Sequence, residues 1–170
     1  MTNTLQVKLL SKNARMPERN HKTDAGYDIF SAETVVLEPQ EKAVIKTDVA
    51  VSIPEGYVGL LTSRSGVSSK TYLVIETGKI DAGYHGNLGI NIKNDHEDNG
   101  AETIFKRDLK DKIIIEDERH LYKQGTYVIN KGERLAQLLI IPIATPMLEE
   151  VKEFSNKTIR GTNGFGSTGF

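Results

Sequence analysis

The sequence of 170 residues contains no cysteine and no tryptophan, only five prolines, and 6% aromatic residues. Without cysteine there can be no disulfide framework, no cysteine-built zinc site and no thiol nucleophile. A surplus of one charge is missing as well: 22 basic against 23 acidic side chains leave a net charge of -1. Partners held chiefly through a phosphate backbone call for a basic excess or stripe, so nucleic acid is not expected as a partner. No apolar run approaches the ~20 residues of a membrane helix. The start, Met1-Thr2-Asn3-Thr4-Leu5-Gln6-Val7-Lys8, lacks the basic-then-apolar order of a signal peptide. The expectation is a soluble, cytoplasmic protein with no membrane partner, its length fitting one domain over 1–170 with an ordinary core.

What is present is a period of two. Val49, Val51 and Ile53 alternate with Ala50 and Ser52, and Leu88, Ile90 and Ile92 alternate with Asn87, Gly89, Asn91 and Lys93. Alternation sends one set of side chains to a core and the other outward. Turn residues punctuate the chain at Glu38-Pro39, Pro54-Glu55-Gly56, Asp81-Ala82-Gly83, Asn99-Gly100, Gln124-Gly125 and Lys131-Gly132. Short apolar runs at intervals of about 8–12 residues predict an all-β sandwich or barrel. One short helix is expected after Ser65, through Tyr72, with Ser65 as its cap.

Two stretches differ in composition. Residues 95–120 are dense in charge around the β-branched run Ile113-Ile114-Ile115. Two readings fit them: a solvated excursion built on a hairpin, or a surface for a partner. From Ser155 onward the chain is too rich in glycine for a regular element.

Three segments gather groups suited to phosphate. Ser63-Arg64-Ser65-Gly66 combines hydroxyls, a guanidinium and a glycine amide where a strand gives way to a helical turn. Amides at a helix start hold anions, and arginine offers a planar fork to phosphate oxygens; the same residues also suit an ordinary turn. In Gly132-Glu133-Arg134-Leu135-Ala136-Gln137, the charged pair suits a strand entry at the surface. Gln137, among apolar neighbours, needs a structural hydrogen-bond partner or a ligand. The tail, Arg160-Gly161 then Gly164-Phe165-Gly166-Ser167-Thr168-Gly169, offers amides and hydroxyls but lacks the lysine and spacing of the ATPase P-loop. An aromatic ring between glycines can reach over a flat base; a disordered end is the plainer reading. Gly78-Lys79-Ile80-Asp81-Ala82-Gly83-Tyr84-His85-Gly86 places a carboxylate at a hairpin mouth. There it either bonds its own backbone or orients and deprotonates a water. The histidines (His21, His85, His96, His120) have no metal-ligand spacing, so a metal would be Mg²⁺ carried by substrate phosphates and touched through water by a carboxylate such as Asp28.

In order along the chain, Asp24-Ala25-Gly26-Tyr27-Asp28, Ser63 to Gly66, Gly78 to Gly86, Gly132 to Gln137 and Arg160 to Gly169 resemble the five motifs of the trimeric dUTPase family. The resemblance implies a β jelly roll assembled as a homotrimer with shared active sites, hydrolysing dUTP to dUMP and pyrophosphate with Mg²⁺. It implies that Asp81 positions the water attacking the α-phosphorus and that Tyr84 packs under the deoxyribose. The hairpin after Asp81, with Ile80, Gly86 and Ile90 among the substrate-binding positions, would read the uracil edge. Arg64, Ser65, Gly66 and Gln137 would hold phosphate oxygens, and Asp28 the water shell of Mg²⁺. Phe165 with Gly166 would close over the base, and Arg160, Ser167 and Thr168 would meet the γ-phosphate. In this family one subunit supplies the first, second and fourth motifs, a second the third, and another the tail.

The sequence departs from the family at Ser63, where proline is common, and at Ile75, where many relatives carry asparagine. Residues 95–125 replace a short connection and resemble the insert of phage-encoded members, some of which bind a pathogenicity-island repressor. The dCTP deaminases share the fold and an aspartate turn but carry a catalytic glutamate five residues beyond the glycine matched by Gly86. Here that place is Asn91, which cannot shuttle protons. A regulatory binding protein acting through the insert is the alternative from another class.

Overall fold

The computed structural model describes residues 4–164. Its elements are β1 (Gln6–Leu9), β2 (Tyr27–Phe30), β3 (Val35–Leu37), β4 (Lys42–Lys46), β5 (Val49–Ser52), β6 (Tyr57–Ser63), α1 (Ser65–Lys70), β7 (Leu73–Ile75), β8 (Gly78–Ile80) and β9 (Gly89–Asn94). They continue with β10 (Glu102–Thr103), β11 (Lys106–Arg107), β12 (Ile113–Ile114), β13 (Tyr122–Lys123), β14 (Tyr127–Ile129) and β15 (Arg134–Pro142). The fold is an all-β jelly roll with one short helix. Its main sheets run β2-β15-β6-β8, β4-β9-β7 and β12-β11-β14-β3. Ile29, Leu37, Ile45, Leu61, Leu73, Ile92, Ile129 and Leu138 come from all three sheets and meet in one core. Each such side chain removed from water contributes about 1.5–3 kcal/mol before entropy is counted.

The alternation of β9 is realised: Ile90 and Ile92 face inward, as does Leu88 just before the strand. Asn94 takes the next inward place. It is fully buried, and its amide is used completely enough to be stable there: Nδ2 donates to the carbonyls of Leu37 at 3.0 Å and Gly125 at 2.9 Å, while Oδ1 accepts from His96 N at 3.1 Å. In β5 the outward set is only partly realised, because Ala50 is buried together with Val49 and Val51 while Ser52 is half-buried. The cross-strand neighbour of Ala50 is Lys8, whose aliphatic stem is long enough to cover a methyl group.

The helix is shorter and capped differently than the sequence suggests. Arg64, extended at φ -83°, holds the N-cap position without a side-chain cap bond, and Ser65 is already helical. Thr71 ends the helix by returning its hydroxyl to Val67 O at 2.7 Å. Only Val67 anchors it to the core.

The charged stretch is built from two hairpin pairings, β10 with β13 and β11 with β12. It is not a free excursion, since β11 also joins β14 in parallel through Arg107 and Tyr127. Nor are all its charges solvated. Lys106 is buried, donating to Glu116 Oε2 at 2.6 Å and to Tyr122 Oη at 3.4 Å. Burial pulls its ammonium pKa down, yet the bonds to Glu116 and Tyr122 outweigh this and the net direction is upward.

Candidate active site

Strand register assembles three of the five motifs. On β15, Gln137 stands opposite Asp28 of β2 and Thr62 of β6. Cross-strand partners are close neighbours, so residues more than 30 positions apart in sequence converge where β6 ends and α1 begins. Gln137 Nε2 donates to Ser63 O at 3.1 Å. A Cβ at position 26 would lie 2.9 Å from Gln137 Oε1 and 3.2 Å from Gln137 Cβ, so a side chain there would displace the Gln137 amide. Gly26 is thus fixed by close approach, and Gln137 has a structural partner as well as a place beside the phosphate-suited loop.

Arg64 is held in place by Asp28. Its Nε donates to Asp28 Oδ1 at 2.7 Å, and its Nη1 reaches Arg134 O at 3.4 Å. Asp28 Oδ2 is buried and has no hydrogen bond, although Arg134 Nη1 stands 3.3 Å from it. Arg134 is instead bonded through Nη1 to Asn20 Oδ1 and through Nη2 to Glu18 Oε1, both at 2.8 Å. The backbone of Glu18 closes the same network, its carbonyl accepting from Asp28 N at 2.7 Å. Glu133 and Arg134 are therefore not a surface pair. Glu133 accepts from Asn130 N at 2.7 Å. Its carboxyl pKa is pushed up, first by burial. Ser65 is exposed, and a Cβ on Gly66 would meet nothing within 4 Å, so space is open above that amide. A six-residue helix adds little dipole, which leaves the guanidiniums as the main attraction for an anion.

The third motif sits elsewhere. β8 pairs with β6 so that Ile80 faces Gly59 and Gly78 faces Leu61. Asp81 therefore leaves beside Gly59, while Arg64 leaves past Ser63, four strand residues or about 13 Å further along β6. Asp81 begins a tight turn, Tyr84 N donating to Asp81 O at 3.1 Å with Gly83 at φ +92°. The carboxylate is exposed. Tyr84 folds over Gly86 and donates from Oη to Asn87 O at 3.0 Å, and any Cβ at Gly86 would collide with its ring. His85 is tied by Nε2 to Ser52 Oγ at 3.2 Å. Ile80 is half-buried; Ile90 lies wholly in the core, so its side chain is a packing group and only its backbone could meet a ligand. Ile75 is likewise a core residue, paired with Ile92. Asn91 Nδ2 is engaged by Glu76 Oε2 at 2.5 Å.

Beyond β15 the described chain, 143–164, forms no strand. Arg160 makes a local turn, its Nε donating to Asn163 O at 3.1 Å. Met147, Leu148, Phe154 and Ile159 expose almost all of their apolar surface. Phe165, Gly166, Ser167 and Thr168 lie outside the described residues. Among the described residues no group of three or more histidines or carboxylates could hold a metal, and no helix is long and apolar enough to cross a membrane. Sequence reasoning did not find Glu18, Asn20 or the role of Arg134. Their only signal was an acid and an amide shortly before the first motif, and nothing local tied them to a residue over 110 positions away.

The dUTPase family model matches residues 12–101 and 120–169, leaving 102–119 of the charged stretch outside it. The deoxyuridine 5'-triphosphate nucleotidohydrolase of Mus musculus is 34% identical over 166 residues, covering 98% of this chain and 85% of that protein. That of Mycobacterium marinum is 37% identical over 175 residues, covering 99% and 97%. The dUTPase of Staphylococcus bacteriophage 80alpha, solved with dUPNHPP, superposes with a TM-score of 0.95 at 79% identity, covering 99% of this chain and 100% of the phage chain.

Proposed function

The chain belongs to the dUTPase family, and from that membership we propose how its residues hydrolyse dUTP to dUMP and pyrophosphate. The observation that carries the reading is the placement of Asp81 and Arg64 at opposite ends of β6. A triphosphate held at Arg64, Ser65, Gly66 and Gln137 is out of reach of Asp81 of the same chain. A homotrimer resolves this: Asp81 of one subunit faces the phosphate loop of another. The uncovered Met147, Leu148 and Phe154 suit an arm laid on a neighbour, bringing Arg160 and the tail beyond it to a further site.

In such a shared site Asp81 accepts a proton from a water aligned with the α-phosphorus. The water oxygen bonds to phosphorus, the bond to the bridging α–β oxygen breaks, and pyrophosphate leaves with that electron pair. Arg64 and Gln137 hold the phosphates in line, and such positioning together with charge stabilisation supplies nearly all of the acceleration in phosphoryl transfer. Tyr84, lodged against Gly86, closes the space a 2′-hydroxyl would need, and the hairpin backbone after Asp81 pairs with the uracil edge. Arg160, Ser167 and Thr168 meet the γ-phosphate as Phe165 and Gly166 cover the base.

A single carboxylate with one oxygen lacking a hydrogen bond fits a water-mediated contact to a phosphate-borne Mg²⁺ better than a protein-built cage, so Asp28 is the residue that would meet that ion's water shell. Bound there, Mg²⁺ would neutralise charge on the phosphates. Asn91, an amide committed to Glu76, favours hydrolysis over the deaminase alternative.

A second role has support in the insert. Ile113, Ile115 and Leu121 are more than half exposed, in or next to the stretch the family model leaves out. Phage dUTPases, that of 80alpha among them, are described as controlling transfer of virulence genes, and the phage 80 dUTPase as having SaPI-inducing capacity. A pathogenicity-island repressor is accordingly the proposed protein partner of this face. The catalytic reading is tested by measuring pyrophosphate release from dUTP, dCTP, dTTP and UTP side by side. Strong preference for dUTP is expected; equal release from all four would contradict the roles given to Tyr84 and the hairpin.

A further inference from the structure

The insert does more than present an outer face. Its turn between β11 and β12 reaches back to the body of the protein, where Leu109 packs against the main core. The turn is rigid for physical reasons. Asp108 Oδ1 accepts from the backbone of Lys110 at 2.8 Å and of Lys112 at 2.9 Å. Asp111 adopts φ +63°, and its carboxylate is held by Arg107 Nη1 at 2.9 Å. Neither the core contact nor these bonds involve the ammonium of Lys110, which has no ion pair among the described residues. Lys110 lines a cavity of about 370 Å³ whose other walls include Arg64, Gly66, Lys70, Glu133 and Arg134.

We infer that Lys110 is a phosphate-binding residue of the active site, contributed by the insert to the terminal phosphates of the bound nucleotide. The cavity is lined by Gly66, where a Cβ would meet nothing within 4 Å, and four of its lining residues are cationic against the single acid Glu133. A partly enclosed cluster of one sign focuses potential and attracts a ligand of the other sign. The insert lies within electrostatic reach of the fourth motif, since Asp108 and Lys110 act in opposite directions on the Glu133 carboxyl after burial has raised it. The bland alternative is that Lys110 is a solvated turn lysine. It does not explain why the turn is pinned by Leu109 so that Lys110 lines the same cavity as Arg64 and Arg134.

The inference rests on the dUTPase reading and deepens it. Binding of dUpNHpp and of dUMP is measured by calorimetry for the trimeric wild type and for Lys110→Glu, Lys110→Arg and Lys22→Glu, the last reversing a charge outside the cavity. Melting temperatures are taken in parallel. Lys110→Glu should weaken dUpNHpp about fivefold, as expected for a partly screened charge contact. It should leave dUMP binding and the melting temperature unchanged, while Lys110→Arg and Lys22→Glu behave as wild type. Unchanged dUpNHpp binding by Lys110→Glu, or an equal loss for dUMP, would overturn the assignment while leaving the dUTPase reading intact. A wild type that binds neither nucleotide would overturn both.

Discussion

Arg64 and Asp28 form an ion pair at 2.7 Å in which Asp28 is the more enclosed partner, 13% exposed against 29%. The pair aims the guanidinium, because the Nε bond to Asp28 sets the plane in which the remaining N–H groups lie. Arg134, fixed by Glu18 and Asn20, steadies Asp28 from its other side.

Replacing Asp28 by asparagine keeps an acceptor for Arg64 but removes the charge that both guanidiniums compensate. The variant should lose about 1–3 kcal/mol of stability in urea unfolding, less than a fully buried pair because Arg64 remains partly hydrated. Its kcat/KM for dUTP should fall at least about tenfold, which corresponds to ~1.4 kcal/mol of lost transition-state stabilisation. Normal turnover in a normally stable variant would show that the pair is ornamental.

Gly86 carries no side chain because the Tyr84 ring occupies that space. Gly86→Ala should push the ring off its seat and break its bond to Asn87 O. The expected loss is in discrimination: the ratio of kcat/KM for dUTP over UTP should drop by about tenfold or more, as when a shape-based contact worth 1–3 kcal/mol is removed. An unchanged ratio would mean that something other than Tyr84 excludes the 2′-hydroxyl.

Glu133 has its carboxyl pKa raised above the ordinary 4.5, first by burial and then by Asp108 against the lowering bond from Asn130. The folded state consequently holds this proton more tightly than the unfolded chain. The stability it contributes is present below the unfolded value and is lost as pH rises through the folded one. Glu133→Gln keeps an oxygen for Asn130 and escapes this loss. Its melting temperature should match wild type near pH 4, rise above it across the next units of pH, and hold a constant advantage at neutrality. A difference that shrinks with rising pH would reverse the sign of the argument.

Much of this was legible in the sequence because it is local. Ile90 and Ile92 alternate within one strand, Asp81-Ala82-Gly83 specifies its own turn, and each motif is a short contiguous string. What escaped was carried by pairing across long separations. Glu18 meets Arg134 across 116 residues, brought there by its bridge to Asp28 and by the β2–β15 register. Lys106 read as solvated charge because its burial depends on Glu116 and Tyr122 closing over it from another hairpin arm. Ser65 suggested a cap by residue type, whereas Arg64, its side chain held by Asp28, takes that position with an extended backbone.

Mixed trimers test the shared site most directly. Asp81→Asn and Arg64→Ala chains, each expected to assemble as a trimer without activity, are unfolded together, refolded and assayed for pyrophosphate release from dUTP. With random assembly, a site drawing its aspartate and its arginine from different subunits recovers both intact in about one case in four, so about a quarter of wild-type activity should return. If the mixture stays as inactive as its parents, Asp81 and Arg64 serve the same site from the same chain.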